Sequence, residues 1–390
     1  MAARAVKTTS PSSGAEQMLV AMDNARQGTL ALVAPLSDED LERVHSSIMS
    51  PLAWDLGHIA AYEDLWLAHR YGGLELLRPD LANLYDAFET PRSVRGEIEA
   101  LGPQDAKAYM AAVSARVARV ISQRGVEGML CEMVLRHELQ HCETMRQTLA
   151  IAGLLAEREQ AQIAAPLSAN GPDGWLAIPA GPFAMGAGSD GFAYDNERPR
   201  HVAEVATFAI ARRPVSNASW LHFSEGGGYE RREWWSREGW AWKEEHDITR
   251  HPGVVTGHPD APVCHVSWFE ADAFARAHDA RLPSEQEWER AATWTQSSPA
   301  FDGGATGGGM YGLVGVGRVW EWTASRFDGY PDFQAYPYRE YSQVFFGDRH
   351  LVLRGGSWAT HPRVASATFR NWDLPLRRQI FAGVRLARSA

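Results

Sequence analysis

His137-Glu-Leu-Gln-His141-Cys-Glu-Thr-Met145 puts two imidazoles four residues apart, on one face of a helix and near enough to chelate one ion. An earlier segment, Trp54-Asp-Leu-Gly-His58-Ile-Ala, carries a third histidine on another helix. In a bundle, facing helices can bring that imidazole to the same ion. Three neutral imidazoles suit iron, zinc, copper or nickel better than magnesium or calcium. Working outward, residues from about 16 to 159 read as helix. Apolar positions recur at three and four, as in Leu19, Met22 and Ala25 or Val113, Val117 and Val120. Pro51, Pro91 and Pro103 mark the connections, and four long segments in one striped stretch predict an up-and-down bundle.

Near Pro166 the character changes. Beyond 166–174 glycine and tryptophan become frequent and the segments short, as in Trp175-Leu-Ala-Ile-Pro and Arg354-Gly-Gly-Ser-Trp-Ala. Helices are expected at 268–278 and 284–293, the second opening on the Ser284/Glu287 pairing of a capping box. The reading is an irregular, loop-rich α+β domain. The domains are therefore 1–15 as a disordered Ser/Thr/Ala-rich arm, 16–160 as the helical bundle, and 161–390 as the second domain.

The chain has 390 residues, of which 45% are apolar and 22% charged, values ordinary for a protein with a sizeable core. Its net charge of −10 is dispersed, and no basic run is long enough to follow a phosphate backbone, which argues against nucleic acid as partner. No apolar stretch approaches the roughly 20 residues that cross a bilayer, and the first residues lack the apolar core of a secretory signal. Three cysteines, Cys131, Cys142 and Cys264, make no disulfide framework, so the cytoplasm is the expected location.

Two other readings compete for the histidines. With 14 in the chain, a pair at this spacing also arises by chance among ordinary core residues, which would leave a non-catalytic binding protein. The pentapeptide also fits His-Glu-x-x-His, a zinc hydrolase pattern with Glu138 as general base. No third-ligand motif follows it downstream, where Cys142-Glu-Thr-Met-Arg-Gln-Thr-Leu continues as helix.

Taken together, four stretches resemble the ergothioneine-biosynthesis sulfoxide synthases: Ser50-Pro-Leu-Ala-Trp-Asp-Leu-Gly-His58, Leu84-Tyr-Asp-Ala-Phe-Glu89, His137–Met145 and Phe369-Arg-Asn-Trp-Asp373. The resemblance covers nearly the whole chain outside the first fifteen residues or so and 297–317. It implies a DinB-like four-helix bundle followed by a domain like the formylglycine-generating enzymes, with a C-type-lectin-like fold. Phe192-Ala-Tyr-Asp-Asn-Glu197, Arg281-Leu-Pro-Ser-Glu-Gln-Glu-Trp288, Val319-Trp-Glu-Trp322 and Arg354-Gly-Gly-Ser-Trp358 are similar to signatures of that second domain. The cysteine pair of the formylglycine generators is not evident, since only Cys264 lies in this half.

What the resemblance implies for function is specific. His58, His137 and His141 would hold iron(II), Fe(2+), which with dioxygen (O2) joins C2 of the imidazole of hercynine to a chalcogen donor. Asp373, with Asn371 and Trp372, would face the trimethylammonium group, and a carboxylate beside an aromatic ring suits a quaternary cation. Gln140 would bond the substrate imidazole. Arg92 and Arg95 match two arginines that hold donor carboxylates, for which a guanidinium fork is suited, and Arg377 and Arg378 would complete the pocket. Without the family match, all four arginines read equally well as surface or ion-paired residues.

Three departures from the family stand out. Gln334 falls where the family's active-site tyrosine is expected, with Tyr330, Tyr336, Tyr338 and Tyr341 nearby as alternatives. Tyr62 replaces a glutamine four residues after the first ligand, and the stretch between Trp294 and Val319 is short and glycine-rich. Selenols ionise and oxidise more readily than thiols, so a dedicated phenol acid is less needed for selenium. The reading therefore takes the selenoneine synthase branch, with a selenosugar donor, and keeps the sulfoxide synthase using γ-glutamylcysteine or cysteine as its alternative.

Overall fold

The computed structural model describes residues 11–168, 173–251, 257–293 and 312–390. Most of the glycine-rich stretch, and residues 1–10 of the expected arm, lie outside the described residues. The chain divides into two compact units, Met1–Leu154 and Leu155–Ala390. The boundary falls a few residues before the 160/161 division expected from sequence. Helix α1 begins at Pro11, so residues 11–15, expected to be disordered, form its first turns.

Four long helical rods make the first unit: α1 (Pro11–Val33), α3 (Leu52–Glu63) extended by π-helical turns at Asp64–Tyr71, α4 (Pro103–Arg124) and α5 (Gly128–Ala152), with a short α2 (Asp38–Glu42) between the first two. Their ends follow local chemistry. Pro103 opens α4, where a missing N–H costs nothing, and Ser37 caps α2 through the Asp40 N–H. Glu127 caps α5 by accepting from the Leu130 N–H, and Gly153 ends it in the left-handed region at φ 71°. Inward stripes of Val113, Val117 and Ile121 on α4 and Leu135, Leu139 and Met145 on α5 are buried. Helix α3 is buried on every side from Leu52 to Ala60, as a helix at the centre of a bundle must be.

Buried Arg26 on α1 reaches the other three rods. It donates through Nε to Glu138 (2.9 Å), through one terminal nitrogen to Glu63 (2.6 Å) and Glu138 (3.1 Å), and through the other to Ser114 (2.8 Å) and the Met110 carbonyl (3.1 Å). All five guanidinium donors are thereby used.

The second unit holds α6 (Glu157–Ala164), α7 (Asn217–Glu225), α8 (Arg237–Glu245), α9 (Trp268–Ala277) and α10 (Glu285–Thr293). Its strands are β1 (Trp175–Ile178), β2 (Gly181–Met185), β3 (His201–Val205), β4 (Phe208–Ala211), β5 (Trp320–Phe327), β6 (Gly347–Arg354), β7 (Asn371–Asp373), β8 (Ala382–Gly383) and β9 (Ala387–Ser389). They form sheets of order β1-β4-β9, β2-β3 and β7-β6-β5-β8. The sequence signatures of this half turn out to be its buried ion pairs: Arg354 with Glu289, Arg370 with Glu285, and Arg385 with Glu321, which also accepts from the Trp288 indole at 2.6 Å. Gly355, at φ 94°, lets the backbone pass Trp288 where a Cβ would stand 3.1 Å from the ring. Among the described residues no helix is long and apolar enough to cross a membrane.

Candidate metal centre

Helices α3 and α5 supply all three histidines. One ring nitrogen from each of His58, His137 and His141 lies within 4.8 Å of the others, and the ring centroids are 4.5 to 5.0 Å apart. The Nε2 atoms of His58 and His137 approach to 3.1 Å. Two nitrogens bound at about 2.1 Å and at right angles to one ion would lie about 3.0 Å apart, so this spacing fits adjacent ligands. Burial, followed by the neighbouring His141 ring, holds the pKa of both His58 and His137 well below the usual imidazole value. Both are therefore neutral at pH 7, the form that ligates. The donor set fits a transition metal.

The groups behind the three rings differ. His58 donates from Nδ1 to the Tyr85 carbonyl at 2.7 Å and stacks on Trp54 at 4.9 Å and 12°. Gly57 makes that contact possible, because a Cβ there would run into the Tyr85 ring. His137 stacks face to face on Tyr62 at 3.8 Å and 12°. His141 has its Nδ1 3.5 Å from the carboxyl of Asp55. Trp54, Asp55 and Tyr85 were not among the site residues expected from sequence. Their only signal was their place in the motifs around His58, at four and three residues before it and in the Leu84–Glu89 stretch.

Glu138 faces away from this work. Its buried carboxylate accepts from Arg26 and from the Thr29 hydroxyl at 2.7 Å, so the general base that the hydrolase reading requires is committed to helix α1. Gln140 is half-buried on α5 beside His141. The two arginines of 91–95 part company. Arg92 is exposed on a 3-10 turn. Arg95 is buried and donates to the Thr90 carbonyl (2.9 Å), Ser50 Oγ (2.8 Å) and the Ala87 carbonyl (3.2 Å). Its guanidinium lies 3.7 Å over the Trp54 ring, where burial lowers its pKa to about 10.

In the second unit, Asn371, Trp372 and Asp373 form β7. Trp372 stacks on Phe327 at 4.1 Å, and Asp373 accepts from the Leu374 N–H at 2.8 Å with Arg377 Nε at 3.7 Å. Arg378 is spent on Glu270 (3.0 Å) and the Arg250 carbonyl (2.6 Å). Gln334 is exposed on the loop joining β5 to β6. Of the tyrosines around it, Tyr330 is buried in the core with Arg370 4.2 Å over its ring, and burial raises its phenol pKa. Tyr341 stacks on Tyr194 at 4.5 Å, Tyr338 meets Tyr341 edge-on, and Tyr336 is half exposed.

Residues 21–145 match the DinB superfamily, and 160–309 with 305–390 match the sulfatase-modifying factor enzyme 1-like domain. The hercynine oxygenase of Mycolicibacterium smegmatis is 38% identical, over 93% of this chain and 96% of that protein. That of Mycobacterium tuberculosis is also 38% identical, over 95% of this chain and 98% of its own. Ergothioneine biosynthesis protein 1 of Schizosaccharomyces pombe is 27% identical, over 67% of this chain and 38% of that protein. The identity extends over both units, including the one that carries the three histidines, and the chain belongs to the hercynine oxygenase family.

Proposed function

We propose that the protein uses iron(II) and dioxygen to join C2 of the hercynine imidazole to a chalcogen donor, acting on small molecules in the cytoplasm. The observation that carries this reading is the convergence of three imidazoles, one buried and two half-buried, with His58 and His137 held neutral. When bound, iron(II) supplies redox chemistry with dioxygen that zinc cannot. The residues do the rest. His58, His137 and His141 would hold the ion. Asp373 takes the trimethylammonium group of hercynine against the Trp372 ring, with Asn371 beside it, and Gln140 bonds its imidazole. Arg92, exposed, is assigned to the donor's carboxylate or phosphate, and Arg377 to steadying Asp373. Arg95 and Arg378 have partners of their own, and we assign them to support.

For the donor we favour a selenosugar, which makes the enzyme a selenoneine synthase. An exposed amide, Gln334, cannot serve as the phenol acid of the sulfur chemistry, and the aromatic Tyr62 stacks on His137, at the position where the resemblance implies a glutamine. The alternative is an ergothioneine-pathway sulfoxide synthase using γ-glutamylcysteine or cysteine. Hercynine and iron(II) incubated in air with each donor, and read by mass spectrometry, separate the two. Positioned proton transfer is worth about 10²–10⁴-fold in rate, so the selenium donor should win by a wide margin. Efficient sulfoxide formation from γ-glutamylcysteine, lost on changing Tyr330, Tyr336, Tyr338 or Tyr341 to Phe, would restore the sulfur reading.

A further inference from the structure

Beside the centre are two buried polar atoms with no hydrogen-bond partner, His141 Nδ1 and Asp55 Oδ2. They belong to groups that face each other, since Asp55 Oδ1 stands 3.5 Å from that same His141 nitrogen. Asp55 is 1% exposed and precedes His58 by three residues on α3. We propose that Asp55 is a positioning residue of the metal centre: it accepts the Nδ1 hydrogen of His141 and holds that ring in the tautomer whose Nε2 is open to the ion. The inference rests on the metal-centre reading given above.

The three rings differ in what fixes them. The Nδ1 hydrogen of His58 is already claimed by the Tyr85 carbonyl, and His137 is gripped through its face by Tyr62. An uncharged imidazole can carry its one hydrogen on either nitrogen, and only hydrogen on Nδ1 leaves Nε2 free to ligate. The 3.5 Å separation is a few tenths longer than an N–H···O bond, so a small approach of the ring closes it. An ion on Nε2 fixes the hydrogen on Nδ1 and so satisfies both orphaned groups at once. A carboxyl placed only to pack or to favour the first turn of α3 would not depend on the ion in this way.

The test is Asp55→Asn, whose amide has the same shape but can donate to Nδ1 and so drive the hydrogen onto Nε2. Iron(II) alone, without oxygen, is titrated against a chromogenic chelator, and the thermal midpoint of the metal-free protein is measured beside it. Losing such an outer partner should weaken iron(II) binding about 10–100-fold, while the metal-free midpoint stays level or rises. Unchanged affinity overturns the assignment. A fall in affinity accompanied by a fall in the metal-free midpoint overturns it too, because it marks a structural role. If Asp55→Asn does not fold, Asp55→Ser is read in the same way. Wild-type protein that holds neither iron(II) nor cobalt(II) overturns the centre itself and this assignment with it.

Discussion

Replacing Arg26 with methionine tests what joins the two histidine-bearing helices. The change removes the cation but keeps most of the apolar stem, so packing loss is small. It leaves Glu63 and Glu138, exposed by only 3% and 6%, without the guanidinium that both share. Breaking a buried pair by removing one partner costs about 3–5 kcal/mol, and here two carboxylates are stranded by one change. The Ser114 hydroxyl and the Met110 carbonyl also lose their donor. We expect a loss at or above the upper end of that range, read as a lowered urea midpoint. Iron(II) affinity should fall as well, because Glu63 ends the helix of His58 and Glu138 adjoins His137. The control is the triple variant Arg26→Met, Glu63→Gln, Glu138→Gln. If the cost is unpaired charge, neutral amides recover most of it. A loss under about 1 kcal/mol, the value of an exposed pair, would refute the reasoning, as would a triple variant no better than the single one.

Changing His58, His137 or His141 singly to Ala should abolish tight iron(II) binding and leave the helical circular dichroism intact, since three protein ligands leave none to spare. Asp373→Asn should weaken hercynine binding by about 1–3 kcal/mol in calorimetry of the iron-loaded protein, with folding unaffected. Glu63 gives a pH signature. Burial, opposed by Arg26, raises its pKa from 4.5 to about 6, so the folded state holds this proton more tightly than the unfolded chain. Its effect is absent below about pH 4.5 and opposes folding fully above about pH 6, a loss of about 2 kcal/mol as pH rises through that window. Glu63→Gln should flatten the stability profile there, and an unchanged profile would show that Glu63 does not titrate in it.

Periodicity and motif spacing made the first unit legible. A repeat at three and four is what a bundle helix needs, and His137 and His141 share a face for the same reason. Context was less visible. Glu138 looked like a catalytic base because its partner, Arg26, lies 112 residues earlier and nothing local announces it. Arg92 and Arg95, three apart, were expected to act together on a donor carboxylate. A single 3-10 turn at Arg92–Val94 instead leaves one in solvent and buries the other under Trp54. The π-helical turns after Glu63 have no period of their own to betray them. In the second unit most strands span only two to five residues, too few for alternation to show. Its tryptophans and glycines were readable as signatures, but not as the ion-pair core they surround.

The three histidines proposed as ligands, and the groups that hold them, lie between Trp54 and His141, inside the first unit. The grip on the ion is thus self-contained with respect to chain. A gene fusion that exchanged the second domain, or a lineage that remodelled it, would keep this candidate metal site whole. Selection on the second domain could then act without touching the residues that would retain the metal, whereas changes at Gln140 or Arg92 would alter both kinds of contact in one unit.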